Sequence, residues 1–199
     1  MSAVLTAGVG GAIGTGTFGA RVSYAAGIGP FSVSSGDFNG DGLLDLVTAD
    51  FDSVAVSVFL GLGDGTFEAR VSYATGNNPY SVSSGDFNGD GVLDLVTADA
   101  GSNAVSVLLG NGDGTFAARV SYVTGDNPFS VFSGDFNGDG VLDLVTADYD
   151  SSTASVLLGS TKDGVAPLLP FTLQTLADAR QALPVFKRKR EQLAAQRGQ

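Results

Sequence analysis

No cysteine, histidine or tryptophan occurs among the 199 residues. The missing thiols exclude disulfides and thiolate metal sites, and the missing imidazoles exclude a Ser-His-Asp triad, a histidine general base and histidine-bound zinc. Only oxygen chemistry remains for a metal. No run of about eighteen apolar residues is present, so no membrane-spanning helix is expected. Basic residues are scarce: 10 Lys and Arg stand against 21 Asp and Glu, a formal charge of -11. Residues 1–163 carry only Arg21, Arg70, Arg119 and Lys162, whereas Arg180, Lys187, Arg188, Lys189, Arg190 and Arg197 crowd the end of the chain. Such an acidic body argues against nucleic acid as a partner. The first residues, Met1 to Gly8, show no basic segment ahead of an apolar core, hence no recognisable cleavable secretory signal.

What is abundant is glycine, 29 residues, and two of them recur in each copy of a nine-residue loop written three times. Its copies run from Asp37 to Asp45, from Asp86 to Asp94 and from Asp135 to Asp143, a constant step of 49 residues. Oxygen-bearing residues alternate with residues that point away. Positions 1, 3, 5 and 9 are Asp37, Asn39, Asp41 and Asp45, then Asp86, Asn88, Asp90 and Asp94, then Asp135, Asn137, Asp139 and Asp143. Position 7 (Leu43, Val92, Val141) has only its backbone carbonyl to offer. Calcium takes about six to eight oxygen ligands, and this alternation, with Gly42 at the sharp turn, follows the logic of the EF-hand loop but closes on Asp at position 9. Three carboxylates brought together repel one another unless a cation joins them. About three Ca²⁺ sites are therefore expected, with Mg²⁺ less suited because it dehydrates reluctantly. The competing reading is that Asn-Gly and Asp-Gly simply mark hairpin turns, but a turn needs one such residue rather than four in register.

The same 49-residue step carries Phe18 to Phe67 to Phe116 and Arg21 to Arg70 to Arg119, so the whole body is a tandem repeat. Within one period four strands are expected: Phe31–Ser35, Leu44–Ala49, Val54–Leu60 and Phe67–Ala74, the calcium loop joining the first two. Four short antiparallel strands per repeat describe a propeller blade. A leading strand, Phe18–Ala25, and a trailing set of three are expected to flank two complete sets. The fold class is thus all-β: about three propeller-type blades in residues 1–163, a partial or assembling β-propeller, because propellers typically have about four to eight blades.

Residues 164–199 break the period. Pro167 and Pro170 suggest a stiff linker, and Leu176, Ala179, Leu183, Phe186 and Leu193 an amphipathic helical tail that Pro184 interrupts.

The run Gly36 to Leu46, its two copies, and the Leu109-to-Phe116 turn resemble the FG-GAP or VCBS-type repeats of integrin-α-like β-propellers. That resemblance implies calcium at the positions derived above, and it places the chain among adhesion receptors, surface proteins and some hydrolases. The Phe-Gly and Gly-Ala-Pro sequences that gave the family its name are absent. The stretch Leu173 to Leu183 with Glu191 to Gly198 is similar to the carboxyl-terminal helix of bacterial flagellins, which implies an assembly handle.

The leading expectation is a non-enzymatic, extracellular or cell-surface structural or adhesion module whose protein or carbohydrate ligand sits on loops such as Gly76–Pro79 or Gly125–Pro128. Calcium is plentiful outside cells, where weak sites of about 10⁻⁴–10⁻³ M suffice. One alternative is a hydrolase or lyase using Asp50, Asp52 or Asp99; another is the spacer of a filament protein. Homo-oligomerisation, or membership of a larger propeller, follows from the blade number. Asp50, Asp99 and Asp148, which end the second strand of each repeat, receive no firm role from sequence.

Overall fold

A computed structural model describes residues 16–160; the expected linker and helical tail, 164–199, lie outside them. Eleven strands make three antiparallel sheets, one per repeat. The first contains β1 (Pro30–Gly36), β2 (Asp45–Asp50), β3 (Ala55–Phe59) and β4 (Val71–Ala74) in sequential order. The second repeats it with β5 (Pro79–Gly85), β6 (Asp94–Asp99), β7 (Ala104–Leu108) and β8 (Val120–Val123). The third has β9 (Pro128–Gly134), β10 (Asp143–Asp148) and β11 (Thr153–Leu157) only. Each expected strand lies within a residue or two of an observed one, except the fourth, which starts late. Phe67 and Phe116 make single bridges to Gly61 and Gly110 before the ladder proper begins at Val71 and Val120.

Register follows from the turns. Gly36 pairs with Asp45 and Ser35 with Leu46 across the nine-residue loop. Val54, expected to begin the third strand, instead occupies a turn with φ of +53°, and Asn103 and Ser152 hold the same place in the other repeats at +49° and +55°. A β-branched residue in that region is strained, so the strand starts one residue later.

The sheets stack in a row, each first strand beside the next: β1 packs on β5 and β5 on β9. Ser32 Oγ accepts from the Val82 backbone N–H at 3.3 Å and Ser81 Oγ from that of Val131 at 3.4 Å, the same bond one repeat later. Between the first two sheets lies a core of Phe38, Val47, Val56, Val58, Leu95, Leu108 and Phe116. Val96, Ala98 and Val105 of the second sheet meet Val131 and Leu144 of the third in a smaller one. The middle sheet is thus covered on both faces and every residue of β6 is buried, including the polar Asp94, Thr97 and Asp99. The row is open: among the described residues the three sheets do not close into a ring.

One expectation is corrected. Phe18–Ala25 forms no strand. Its counterparts, β4 and β8, pair with the third strand of their own repeat, and no such strand precedes Phe18 among the described residues. An extended segment without a ladder partner has its backbone groups satisfied by water instead.

Candidate metal loops and buried carboxylate clamps

The three loops fold identically, which their identical spacing of glycines makes possible. Gly40 and Gly42 take φ of +76° and +83°, as do their equivalents in the other two loops within a few degrees, a region closed to most side chains. These turns aim backbone N–H groups inward. Asp37 Oδ1 accepts from Gly40 at 2.8 Å and Asp41 at 3.2 Å, and its Oδ2 accepts from Gly42 at 2.8 Å. Asp41 Oδ1 accepts from Leu43 at 2.8 Å, and Asn39 Nδ2 donates to Asp41 Oδ2 at 2.9 Å. Asp86, Asn88 and Asp90 repeat these bonds, as do Asp135, Asn137 and Asp139. The N–H of Gly140 foremost holds the Asp135 carboxyl below the usual carboxylate range.

The ninth position differs. Asp45, Asp94 and Asp143 are fully buried. Asp45 Oδ2 accepts from the Phe38 N–H and its Oδ1 from the Gly61 N–H, both at 2.8 Å. Asp94 joins Phe87 to Gly110, each at 2.9 Å, and Asp143 joins Phe136 to Gly159 at 2.9 and 2.7 Å. One carboxylate thus ties the start of its loop to the turn after the third strand, linking three strands of a blade. Burial pushes the Asp94 carboxyl up, opposed by the N–H groups of Gly110 and Phe87 and assisted by the charges of Asp90 and Asp86. The partner must be glycine: a Cβ on Gly110 would lie 2.3 Å from the Leu93 carbonyl oxygen.

The donor set of each loop is three carboxylates, one amide oxygen and a backbone carbonyl, all hard oxygens of the kind calcium takes. As the side chains stand they are turned onto backbone N–H groups, and among the described residues no three acidic side chains converge into a ready cage. Position 7 offers Leu43, Val92 or Val141, none of which brings a side-chain oxygen.

A second set of carboxylates escaped a sequence-based role. Asp50, Asp99 and Asp148 are buried at the ends of β2, β6 and β10. Asp50 accepts from Thr48 Oγ1 at 2.8 Å, Ser57 Oγ at 2.5 Å and the Gly27 N–H at 3.1 Å. Asp99 accepts likewise from Thr97, Ser106 and Gly76, and Asp148 from Thr146, Ser155, Gly125 and Thr153. These clamps hold the segment entering each blade against its second and third strands. Burial raises the Asp99 carboxyl despite the hydroxyls of Ser106 and Thr97, the Gly76 N–H and the charge of Arg119. Burial is also the largest influence on Asp148 and pushes it up, but its donors Ser155, Thr146, Gly125 and Thr153 together outweigh that and leave it low. The signal available in sequence was the repeated Thr-x-Asp ahead of a Ser seven residues on. Asp52, by contrast, is exposed in the turn after β2.

At the opposite end of the sheets from the nine-residue loops, aromatic rings run from blade to blade. Phe31 stands 4.8 Å from Tyr80, Tyr80 4.2 Å from Phe129 and Phe129 5.3 Å from Tyr149, with Phe51 4.9 Å from Tyr80. Asn78, Asn103, Asn127 and Asp150 border a cavity of about 300 Å³ beside them. Both loops expected to carry a ligand contribute here, through Asn78 and Asn127.

Fold and loops together define a class: a tandem array of four-stranded β units, each with one acidic hairpin loop. Sequence comparison agrees, for the FG-GAP-like repeat profile matches residues 37–97 and 86–146. The chain belongs to the FG-GAP-like repeat family. No curated protein matches it. Among solved structures it is similar to a chain of the Photorhabdus luminescens Tc holotoxin pore, 23% identical with a TM-score of 0.45, covering 63% of this chain and 6% of that one. It is also similar to TcdB2-TccC3 without its hypervariable C-terminal region, at 22% identity and a TM-score of 0.44, covering 69% and 7% respectively. The chain therefore spans a small fraction of the length of either. Among the described residues no helix is long and apolar enough to cross a membrane.

Proposed function

We propose that this chain is a non-enzymatic, calcium-stabilised structural or adhesion module of the extracellular space or cell surface. The observation that carries the reading is the coupling of each loop to its blade. The ninth residue that would ligate the ion already clamps the loop to the turn beyond the third strand, so order imposed on the loop passes directly into the sheet. Asp37, Asn39, Asp41 and the Leu43 carbonyl would supply the remaining oxygens, with corresponding sets in the other two copies. The ion offsets the mutual repulsion of the carboxylates and stabilises the blade. The half-buried Asn39 and the exposed Asp41 exchange their mutual hydrogen bond for the cation.

Ligand binding is assigned to the aromatic rim, away from the metal loops. Flat rings with polar neighbours suit either sugar rings or apolar peptide side chains. Asp50 and Asp99 are enclosed and committed to Ser, Thr and backbone donors, a poor arrangement for the acid and base of a hydrolase, which must reach substrate.

The test is thermal. The melting temperature should climb with free Ca²⁺ and fall back with EGTA, and the triple variant Asp41→Ala, Asp90→Ala, Asp139→Ala should lose the response. An unresponsive wild type, or an equal response to Mg²⁺, rejects calcium as the structural ion.

A further inference from the structure

Among the described residues the third blade has no fourth strand, and the place where that strand would begin is a shaped apolar cavity. Its volume is about 280 Å³, and it is lined by Phe87, Val107, Leu109, Tyr122, Leu142 and Leu157 among others. Subtracting one 49-residue step turns these six into Phe38, Val58, Leu60, Tyr73, Leu93 and Leu108, the surroundings of Phe116 in the main core. Phe116 itself is buried between Phe38 at 5.7 Å and Tyr73 at 5.3 Å. The cavity therefore corresponds to the seat of Phe116 one repeat later, a position at which the sequence has Val165. About 150 Å³ is enough for a benzene ring.

A segment that matches this seat lies near the start of the described residues. Phe18 is in register with Phe67 and Phe116, and it is 99% exposed. After it, Arg21-Val22-Ser23-Tyr24 repeats the Arg70-Val71-Ser72-Tyr73 and Arg119-Val120-Ser121-Tyr122 of the two fourth strands. Tyr24 already packs edge-on against Phe67 at 5.4 Å and Phe59 at 6.5 Å, as Tyr73 packs on Phe116. Gly27 reaches Asp50 as Gly76 reaches Asp99. The segment thus lies against the first blade where the fourth strand of a preceding blade would lie. The edge of β11 and the far face of its sheet are open, with Val156 57% and Phe136 52% exposed, whereas their repeat equivalents Val58 and Phe38 are buried.

We propose that Phe18–Ala25 of one copy is the fourth strand of the third blade of a second copy, with Phe18 in the Phe87–Tyr122 cavity. Transferring the observed ladders by one repeat gives the register: Val22 opposite Val156, Ser23 opposite Ser155, Tyr24 opposite Ala154 and Ala25 opposite Thr153. Arg21 would then meet Ser155 as Arg70 meets Ser57 at 3.1 Å. The contact is head-to-tail, so it either closes into a ring or continues as a filament. With the three blades of the described residues, a pair of copies makes a ring of six, within the usual range of about four to eight. The two exposed edges that threaten an open row are consumed together.

Because Phe18 touches nothing in the isolated chain, Phe18→Ser tests the contact without disturbing the fold. Sedimentation equilibrium of the full chain should show a dimer, and Phe18→Ser should raise its dissociation constant by about ten-thousandfold, because the closed pair loses two buried phenyl groups at about a hundredfold each. A cross-link tests the register independently, since the chain has no cysteine. Val22→Cys protein mixed with Val156→Cys protein under mild oxidation should give a covalent heterodimer, because paired strand positions lie within disulfide reach. A monomer at all concentrations, or a dimer indifferent to Phe18→Ser, overturns the proposal. So does failure of the mixed cross-link, the outcome expected if residues 165–172 of the same chain cover β11 despite Pro167 and Pro170.

Discussion

Replacing Asp94 by alanine should destabilise the protein even with no calcium present. The carboxylate is fully buried and accepts from the backbone N–H groups of Phe87 and Gly110, both at 2.9 Å. Without it two half-buried donors lose their partner, at up to about 1–3 kcal/mol each. Part of that is returned, because burial raises the Asp94 carboxyl and the folded chain pays to hold it ionised. The net loss should be about 2–4 kcal/mol, a large share of a typical stability of about 5–15 kcal/mol. The assay is urea unfolding in excess EGTA, with Asp90→Ala alongside. Asp90 is exposed, and its replacement should cost well under 1 kcal/mol in EGTA and show its effect only when calcium is added. A loss at Asp94 of less than about 1 kcal/mol, or equal losses at the two sites, would refute the structural role given to the ninth position.

The core and the clamps give further expectations. Phe38→Ala empties a site 1% exposed between two blades and should cost about 3–5 kcal/mol in urea unfolding; a cost below about 1 kcal/mol would mean that the first two sheets do not share a core. For Asp99, whose carboxyl is raised by burial, the contribution to stability is fully present below the ordinary carboxylate value and is lost as pH rises through the raised one. Asp148 is lowered, so its contribution is present above the ordinary value and is lost as pH falls through the lowered one. Compared with Asp99→Asn, the wild type should lose ground as pH rises above about 4, and compared with Asp148→Asn it should lose ground as pH falls below about 4. Parallel trends for the two variants would contradict the assignment.

Much of this fold could be read from the chain because its information is local and said three times. The loop glycines, the alternation around Val56 and Val58 and the Asp-Gly turns each specify a hairpin without reference to distant residues. What could not be read depends on partners. Phe18–Ala25 differs at only one or two positions from the segments that end in β4 and β8, yet it forms no strand, since a strand exists only as half of a ladder. Asp50 and Asp99 receive no firm role from sequence because Ser57, Ser106, Gly27 and Gly76, which enclose them, come from other strands or from the entering segment. Asp45, Asp94 and Asp143 were legible as oxygen donors but not as clamps. Their second hydrogen bond goes to a glycine sixteen residues on, and that link is made by the sheet.

The central claim is that the three loops are calcium sites that stabilise the blades. Isothermal titration of the EGTA-treated full chain with CaCl₂ measures it most directly. The account predicts three ions per chain, none in the Asp41→Ala, Asp90→Ala, Asp139→Ala variant, and no displacement by equimolar Mg²⁺. Heats no different from dilution at millimolar calcium, or binding that survives in the triple variant, would contradict it.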